Sequence, residues 1–209
     1  MTAPMESALT LDPVPAWMAA GPGARVIAAL GGAGRALYVG GCVRAAVARP
    51  GQTPKDIDIA TRLEPREVMR ALRAAGMGAV PTGLAHGTVT AVADGAPVAE
   101  ITTLRRDVST DGRRATVAFT RDWAADAARR DFTMNALYAG PDGRVYDPLG
   151  HGSADARAGR VVFVGDAATR IAEDRLRVLR FFRMHAFWGR GAPDGEAVAA
   201  CAAAADTLG

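Results

Sequence analysis

Short apolar runs and alternating segments dominate the first two thirds of the chain, a pattern typical of a sheet with flanking helices. The run Ala36–Val39 predicts a buried strand, and the Gly40-Gly41 pair behind it predicts a tight turn into a helix. Residues 65–75 carry apolar positions at helical spacing, so we expect an amphipathic helix there. Further strands are expected around residue 80 and over 88–92 and 98–103. The predicted fold class is α+β, with a mixed, largely antiparallel sheet and flanking helices.

The pattern changes from sheet to helix near the end of the chain. Apolar residues recur at helical spacing over residues 169–188, which predicts one long helix, and the alanine-rich residues 195–206 predict a second. The apolar stripe predicted for the long helix consists of Ile171, Val178, Leu179, Phe182 and Ala186. Residues 104–116 are charged and show no periodicity, so we expect a mobile loop. We therefore expect a loose leader at 1–22, a head domain at 23–165 and the start of a helical neck domain at 166–209.

Composition narrows the classes of protein that fit. With 209 residues, 49% of them hydrophobic and 22% charged, the chain can bury an ordinary core and does not have a disordered composition. No apolar stretch approaches the roughly 18 residues of a membrane span, and Cys42 and Cys201 match no metal-ligand spacing. We expect a cytoplasmic protein without a disulfide framework or structural zinc. The net charge of +3 is compatible with a polyanionic partner but does not establish one.

Two carboxylates mark the first candidate for chemistry. Asp56 and Asp58 alternate with two isoleucines, so in a strand both aspartates share one face. Such a pair suits magnesium ions and the transfer of a phosphoryl or nucleotidyl group. The same pattern is also typical of a solvated acidic face. Glu100, on a later strand, is either a third carboxylate near the metal or an edge-strand surface charge.

The glycine turn upstream strengthens the first interpretation. Glycines between a strand and a helix let backbone N–H groups approach phosphate, and the N-terminus of the helix carries partial positive charge. Arg44, in the first turn of the predicted helix, is placed to clamp a triphosphate. Joined to Asp56 and Asp58, this turn resembles the signature of the DNA polymerase beta-like nucleotidyltransferase superfamily.

Later blocks carry a more specific resemblance. The block from Arg129 to Ala136, R-R-D-F-T-M-N-A, resembles the R-R-D-F-T-x-N-A motif of class II tRNA nucleotidyltransferases and bacterial poly(A) polymerases. Asp147-Pro148 resembles the next motif of that family, and the block from Glu173 to Arg177 resembles its E-D-x-x-R. The order and spacing of these blocks agree with the family over residues 36–189.

The resemblance implies an activity and a set of roles. The activity is addition of C and A to the 3′ end of tRNA from CTP and ATP, with magnesium as cofactor. Asp56 and Asp58 would be the catalytic residues and the metal ligands. Asp174 and Arg177 would read the incoming base through hydrogen bonds of the Watson–Crick type. The nucleotide-binding set implied in this way is Gly40, Gly41, Arg44, Arg130, Asp174, Arg177, Arg180 and Arg183.

The chain departs from the family pattern in two places. Ala45 stands where the family motif G-G-x-V-R-D has an acidic residue, which leaves open a slow or inactive site. Relatives also continue into helical domains that grip tRNA, which we expect to lie outside these 209 residues. A poly(A) polymerase of the same class and a silent nucleotide- or RNA-binding remnant therefore stay as alternatives. A small-molecule nucleotidyltransferase is disfavoured by the two later motif blocks.

Overall fold

A computed structural model describes residues 5–111 and 114–205. Within those ranges the strands are β1 Ser7–Thr10, β2 Ala36–Val39, β3 Asp58–Thr61, β4 Gly78–Gly83, β5 Thr88–Ala93, β6 Ala96–Thr103, β7 Arg105–Asp111, β8 Arg114–Phe119, β9 Tyr138–Ala139 and β10 Arg144–Tyr146. The helices there are α1 Ala16–Ala19, α2 Pro22–Ala29, α3 Gly41–Ala48, α4 Pro65–Ala74, α5 Trp123–Ala128, α6 Gly152–Ala158, α7 Ala167–Glu173, α8 Leu176–Trp188 and α9 Gly195–Ala203. None of these helices combines the length and the apolar character that a bilayer crossing requires.

One large sheet organises the molecule. Among the described residues its strand order is β1-β10-β9-β2-β3-β6-β5-β4, and every neighbouring pair is antiparallel except β3 and β6. The predicted α+β class with a mixed, largely antiparallel sheet is confirmed. The parallel pair sets the register that matters for function, because it places Asp58 beside Glu100.

The central strand β2 is buried on both faces, which explains its unbroken apolar run. Tyr38 belongs to the larger core cluster, together with Phe132 and Phe181. Leu37 belongs to a second cluster on the other side of the sheet. Because both faces of β2 are covered, the backbone is fixed at the point where the chain turns into α3.

The amino-terminal residues differ from the loose leader that the sequence suggested. β1 pairs with β10 at the edge of the large sheet, and Met18 in α1 is fully buried in the main core. The sequence expectation is wrong for residues 5–22, because short elements of four residues are too brief to show periodicity. Residues 1–4 of the expected leader lie outside the described residues.

The segment expected to be a loop forms a hairpin. β7 and β8 pair with each other as a separate antiparallel ribbon, and the backbone N–H of Thr120 donates to the carbonyl of Leu104 at its base, at 2.8 Å. The prediction of an irregular loop over residues 104–116 is therefore wrong for the strands. Residues 112 and 113 lie outside the described residues.

The predicted single long helix is broken into α7 and α8. Asp174 adopts an extended conformation, with φ −153° and ψ 105°, and its carboxylate accepts a hydrogen bond from the backbone N–H of Leu176 at 3.0 Å. The break shifts the buried face of α8 to Val178 and Phe181. Leu179 and Phe182, placed on the buried stripe by the sequence, are exposed.

Candidate active site

Three carboxylates converge where β3 lies beside β6. Asp58 starts β3 and stands opposite Glu100, while Asp56 lies two residues earlier at a bend. All three line one open cavity of about 630 Å³, and we call them the acidic corner. Asp56 therefore lies just before the strand, and it faces the same cavity as Asp58, as the alternation predicted.

Within the acidic corner, the pKa of Asp58 is raised. Burial raises the pKa of Asp58, and the neighbouring charges of Glu100 and Asp56 raise it further, while Arg130 opposes the shift. A carboxylate in this state is electrostatically unsatisfied, since its neighbours repel the charged form. The arrangement favours a cation at the mouth of β3.

The glycine turn lies directly beside this corner. Gly40 has φ +71°, a conformation that disfavours other residues, and its N–H donates to the carbonyl of Leu137 at 3.1 Å. A side chain at Gly40 would meet the guanidinium of Arg130, with its Cβ 3.6 Å from Nη1. The thiol of Cys42, in the first turn of α3, lies 3.7 Å from the carbonyl oxygen of Asp58. The turn, the acidic corner and Arg130 are thus adjacent.

A second cavity, of about 360 Å³, opens on the other side of Asp58 and Glu100. Its charged lining contains four acids, Asp58, Glu100, Asp131 and Asp174, and five arginines. The arginines, which we call the arginine wall, are Arg105, Arg129, Arg130, Arg177 and Arg180. Such a concentration of guanidinium groups is suited to a polyphosphate.

A buried aspartate holds part of the arginine wall from behind. Asp126 on α5 accepts from Nε and Nη2 of Arg129, at 3.0 and 2.8 Å, and from Nη2 of Arg130 at 2.9 Å. It also accepts from the Tyr138 hydroxyl at 2.7 Å. Burial alone would raise its pKa, but Arg130, Arg129 and the Tyr138 hydrogen bond lower the pKa of Asp126 to about 2. Asp126 is therefore ionised at neutral pH.

A second chain of polar contacts crosses from α3 to α8. Arg44 donates to the side chain of Asn135, whose amide donates to Asp131 at 3.0 Å. Asp131 in turn accepts from Nε of Arg180 at 3.0 Å. Two residues of the R-R-D-F-T-M-N-A block thus link the helix behind the glycine turn to the wall.

Arg44 itself lies away from the lining of either cavity described above. Its guanidinium stacks over the ring of Trp188, 4.2 Å from the centroid, and Arg49 stacks on the same ring at the same distance. Burial lowers the pKa of Arg44 to about 10, and Asp131 opposes that shift. Arg44 is oriented by Asn135 and Trp188, so its position does not depend on a carboxylate at Ala45.

Some, but not all, of the nucleotide-binding candidates near α8 line the second cavity. Asp174 and Arg177 line the second cavity, and Glu173 holds Arg177 by accepting from its Nη1 at 2.6 Å. Arg183 is exposed and does not line that cavity. Of the last four members of the expected nucleotide-binding set, three therefore line this cavity, and Arg183 does not.

Asp126, Asn135 and Glu173 are the contacts that the sequence analysis missed. Acids three or four residues from an arginine on a helix were a usable signal for Asp126 and Glu173. The contact from Asn135 to Arg44 gave no such signal, because the two residues lie 91 positions apart.

The acidic corner fits a hard divalent cation by its donor chemistry, since carboxylate oxygens are the ligands that magnesium prefers. Among the described residues, no cluster of three or more histidine, cysteine or acidic side chains forms a ready cage. Magnesium commonly takes one or two carboxylates and completes its shell with substrate phosphates and water. A pair of aspartates next to a polyphosphate cavity meets that requirement.

The fold has solved counterparts. The crystal structure of the Bacillus stearothermophilus CCA-adding enzyme in complex with CTP matches 89% of this chain and 42% of its own, with a TM-score of 0.71 and 30% identity. The fold is that of a nucleotidyltransferase head. Residues 36–162 match the family model described as the poly A polymerase head domain, and the chain belongs to that family.

Curated relatives agree with this assignment. The mitochondrial CCA tRNA nucleotidyltransferase 1 of Danio rerio is 45% identical over 156 residues, which is 74% of this chain. The CCA-adding enzyme of Oceanobacillus iheyensis is 42% identical over 148 residues, or 70% of this chain. In both cases the match covers 35% of the relative, so the chain spans about a third of the length of these proteins.

Proposed function

We propose that the chain carries the catalytic head of a tRNA nucleotidyltransferase that adds C and A to the 3′ end of tRNA from CTP and ATP. One observation carries the proposal: two cavities of different character meet at Asp58 and Glu100. The arginine-lined cavity suits a nucleoside triphosphate, and the other cavity, with threonine and valine side chains, leaves room for the acceptor end of an RNA. The names of the matched relatives support the choice of tRNA.

The reaction is a single transfer at phosphorus. The 3′-hydroxyl oxygen of the acceptor forms a bond to the α-phosphorus, the bond from that phosphorus to the bridging oxygen breaks, and pyrophosphate leaves. Asp56 and Asp58 would hold magnesium; when bound, it would lower the pKa of the attacking hydroxyl and neutralise the triphosphate. Nucleotidyltransferases generally use divalent metals, and the oxygen donors of the acidic corner favour magnesium among them.

The wall would bind and orient the nucleotide. Arg130 lies between Gly40 and Asp58, where it can bind the phosphates next to the acidic corner. Gly41 begins α3, and the partial positive charge at the N-terminus of this helix would favour a phosphate there. Arg180 is held by Asp131 towards the same cavity. These groups would orient the triphosphate so that its α-phosphorus faces the attacking 3′-hydroxyl.

Asp174 and Arg177 would select the base. A carboxylate accepts from the exocyclic amine of C or A, while a guanidinium donates to ring nitrogen or carbonyl oxygen. U and G offer mismatched donors and acceptors. Glu173 fixes Arg177 through Nη1, so the donor geometry is set before the nucleotide arrives.

The domain division and the compartment belong to the proposal as well. We propose that the head ends near residue 165, with residues 5–22 packed onto it, and that 166–209 begin a helical neck, with 206–209 outside the described residues. We propose a cytoplasmic location, with a mitochondrial one as the alternative. The alternative comes from the name of the Danio rerio relative, which is mitochondrial.

Nucleotide addition to a defined RNA tests the function. The protein is incubated with tRNA lacking its terminal CCA, magnesium and labelled CTP or ATP, and the added sequence is read. We expect C and A, with U and G rejected, and no addition by Asp58→Ala because it removes a metal ligand. A homopolymer of A would identify a poly(A) polymerase instead. Addition that survives Asp58→Ala would contradict the assigned site.

A further inference from the structure

We infer that Asp126, which lines neither cavity, is the positioning residue that sets the arginine wall before a nucleotide binds. The inference rests on the proposed function of the second cavity as a triphosphate site. Asp126 is buried and bonds two arginines of that site without lining the cavity itself.

Asp126 is saturated with hydrogen bonds. Its Oδ1 accepts from Nε and Nη2 of Arg129 and from the backbone N–H of Arg105, the last at 3.2 Å. Its Oδ2 accepts from Nη2 of Arg130 and from the hydroxyl of Tyr138. The Asp126 side chain is 2% exposed. One carboxylate thus binds the guanidinium groups of two members of the arginine wall, Arg129 and Arg130, and the backbone of a third, Arg105.

The contact to Arg105 extends this control to the hairpin. Arg105 is the first residue of β7, and its carbonyl accepts from Nε of Arg129 at 3.1 Å while its N–H donates to Asp126. The base of the β7–β8 hairpin and the side chain of Arg129 are therefore fixed by the same carboxylate. A shift of Asp126 would move the hairpin and the wall together.

The charges explain why a buried acid is placed behind the wall. Arg129 and Arg130 are adjacent in sequence and both partly buried, with side chains 16% and 19% exposed, so their charges repel in a poorly solvated site. One carboxylate between them offsets that repulsion and fixes both guanidinium planes. Nε of Arg130 is buried without a hydrogen-bond partner among the described residues. Asp126 is thus the main polar anchor of Arg130, alongside the ring of Tyr138.

The chain supplies a matched control for a merely structural role. Asp155 is also buried, and it accepts from Thr133 at 2.6 Å and from Nε and Nη2 of Arg160 at 2.9 and 2.7 Å. Arg160 does not line the second cavity. Asp126→Asn and Asp155→Asn therefore remove comparable buried carboxylates, and only the first removes an anchor of the arginine wall.

The experiment compares binding and stability in the two variants. Calorimetry with CTP and magnesium gives Kd, and thermal melts give the loss of stability. Asp126→Asn should raise the Kd for CTP about tenfold or more, the value of one lost charge-assisted contact, whereas Asp155→Asn should leave Kd within about twofold. A milder variant, Tyr138→Phe, removes one donor to Asp126 and should raise Kd about threefold. If Asp126→Asn does not fold, the Kd of Tyr138→Phe for CTP tests the inference instead.

A second readout needs no nucleotide. Arg129 Nε–H donates both to Asp126 and to the carbonyl of Arg105. Its side-chain NMR signal should therefore be protected from exchange in the wild type and in Asp155→Asn, and should exchange faster in Asp126→Asn, which loses the charged acceptor. Equal Kd values in the Asp126→Asn and Asp155→Asn proteins would overturn the inference, even with CCA addition intact. If the wild type binds CTP but adds nothing to tRNA, the proposed function fails while the ratio of Kd values still decides the role of Asp126.

Discussion

The acidic corner and the arginine wall meet at the same cavity but are held in opposite ways. Within residues 5–111 and 114–205, the carboxylates of Asp56, Asp58 and Glu100 receive no hydrogen bond or ion pair from other side chains. Arginines of the wall instead donate hydrogen bonds to protein carboxylates, with Asp126, Asp131 and Glu173 as the acceptors. One half of the site is preorganised by protein partners, and the other is left electrostatically incomplete.

This contrast indicates how the site divides its work. Crowded carboxylates cost folding stability because each disfavours the charged form of the next. The paired arginines bear a lower cost, since their charges are matched inside the protein. A preorganised phosphate site beside an unsatisfied cation site is what a metal-dependent transfer requires, because the metal and the nucleotide complete each other.

The largest expected effect comes from Asp58→Asn. The amide keeps the shape of the side chain but cannot act as an anionic ligand, so kcat should fall about a thousandfold or more. The same change removes the Asp58 carboxyl, whose pKa is raised by burial. Because the folded state binds that proton more tightly than the unfolded state, the charged form destabilises the fold above this pKa, and the variant should melt about 2 °C or more higher at neutral pH.

Asp142→Asn is the control for this prediction. Asp142 is a half-exposed acid paired with Arg144 on the β9–β10 hairpin, outside both cavities. It should leave kcat and the melting temperature nearly unchanged. A stable Asp58→Asn protein that retains activity would remove the acidic corner from the mechanism.

The next effect tests the arginine wall through Arg130→Lys. Lysine keeps the charge but loses the planar fork that bonds Asp126 and faces Gly40, so kcat/KM for CTP should fall about a hundredfold. The matched change Arg144→Lys, at an exposed ion pair, should leave kcat/KM within about twofold. Equal kinetics in the two variants would show that charge alone suffices at the wall.

Local sequence patterns were enough to predict the central strand of the sheet and the paired aspartates of the acidic corner. The run Ala36–Val39 and the aspartate–isoleucine alternation depend on neighbouring residues, and β2 and the paired carboxylates lie where those patterns predicted. The resemblance also assigned Arg130, Asp174 and Arg177 to one nucleotide site, and in the structure all three line the second cavity. Those residues lie in contiguous motif blocks whose order along the chain is itself visible.

Other features could not be predicted from local sequence patterns. At the break, the Asp174 carboxylate accepts from the backbone N–H of Leu176, and this local bond competes with the continuous helix that the apolar pattern favours. Arg44 faces Trp188, 144 positions later, and no local pattern carries that information. The strand pattern of β7 was hidden by the three consecutive charged residues at 105–107. The ribbon of β7 and β8 also lies outside the large sheet.

Glu100→Gln sharpens the acidic corner from within. After burial, the charge of Glu100 is the largest cause that raises the pKa of Asp58, so removing it should lower that pKa. Metal binding requires the charged carboxylate, and the acid limb of the pH–rate profile should therefore move to lower pH. At neutral pH we expect kcat to change less than about tenfold. A loss as large as that of Asp58→Asn at every pH would instead make Glu100 a metal ligand.

The last comparison concerns binding alone and marks where the arginine wall ends. Arg180 is bonded to Asp131 and lines the second cavity, so Arg180→Ala should raise the Kd for CTP about tenfold. Arg183, one turn further along α8, is exposed and lies outside that lining, so Arg183→Ala should change Kd by no more than about twofold. Both changes remove one positive charge from the same helix, so long-range attraction of the triphosphate is weakened similarly. A tenfold difference then measures contact at the wall, and equal effects would mean that the wall acts only through net charge.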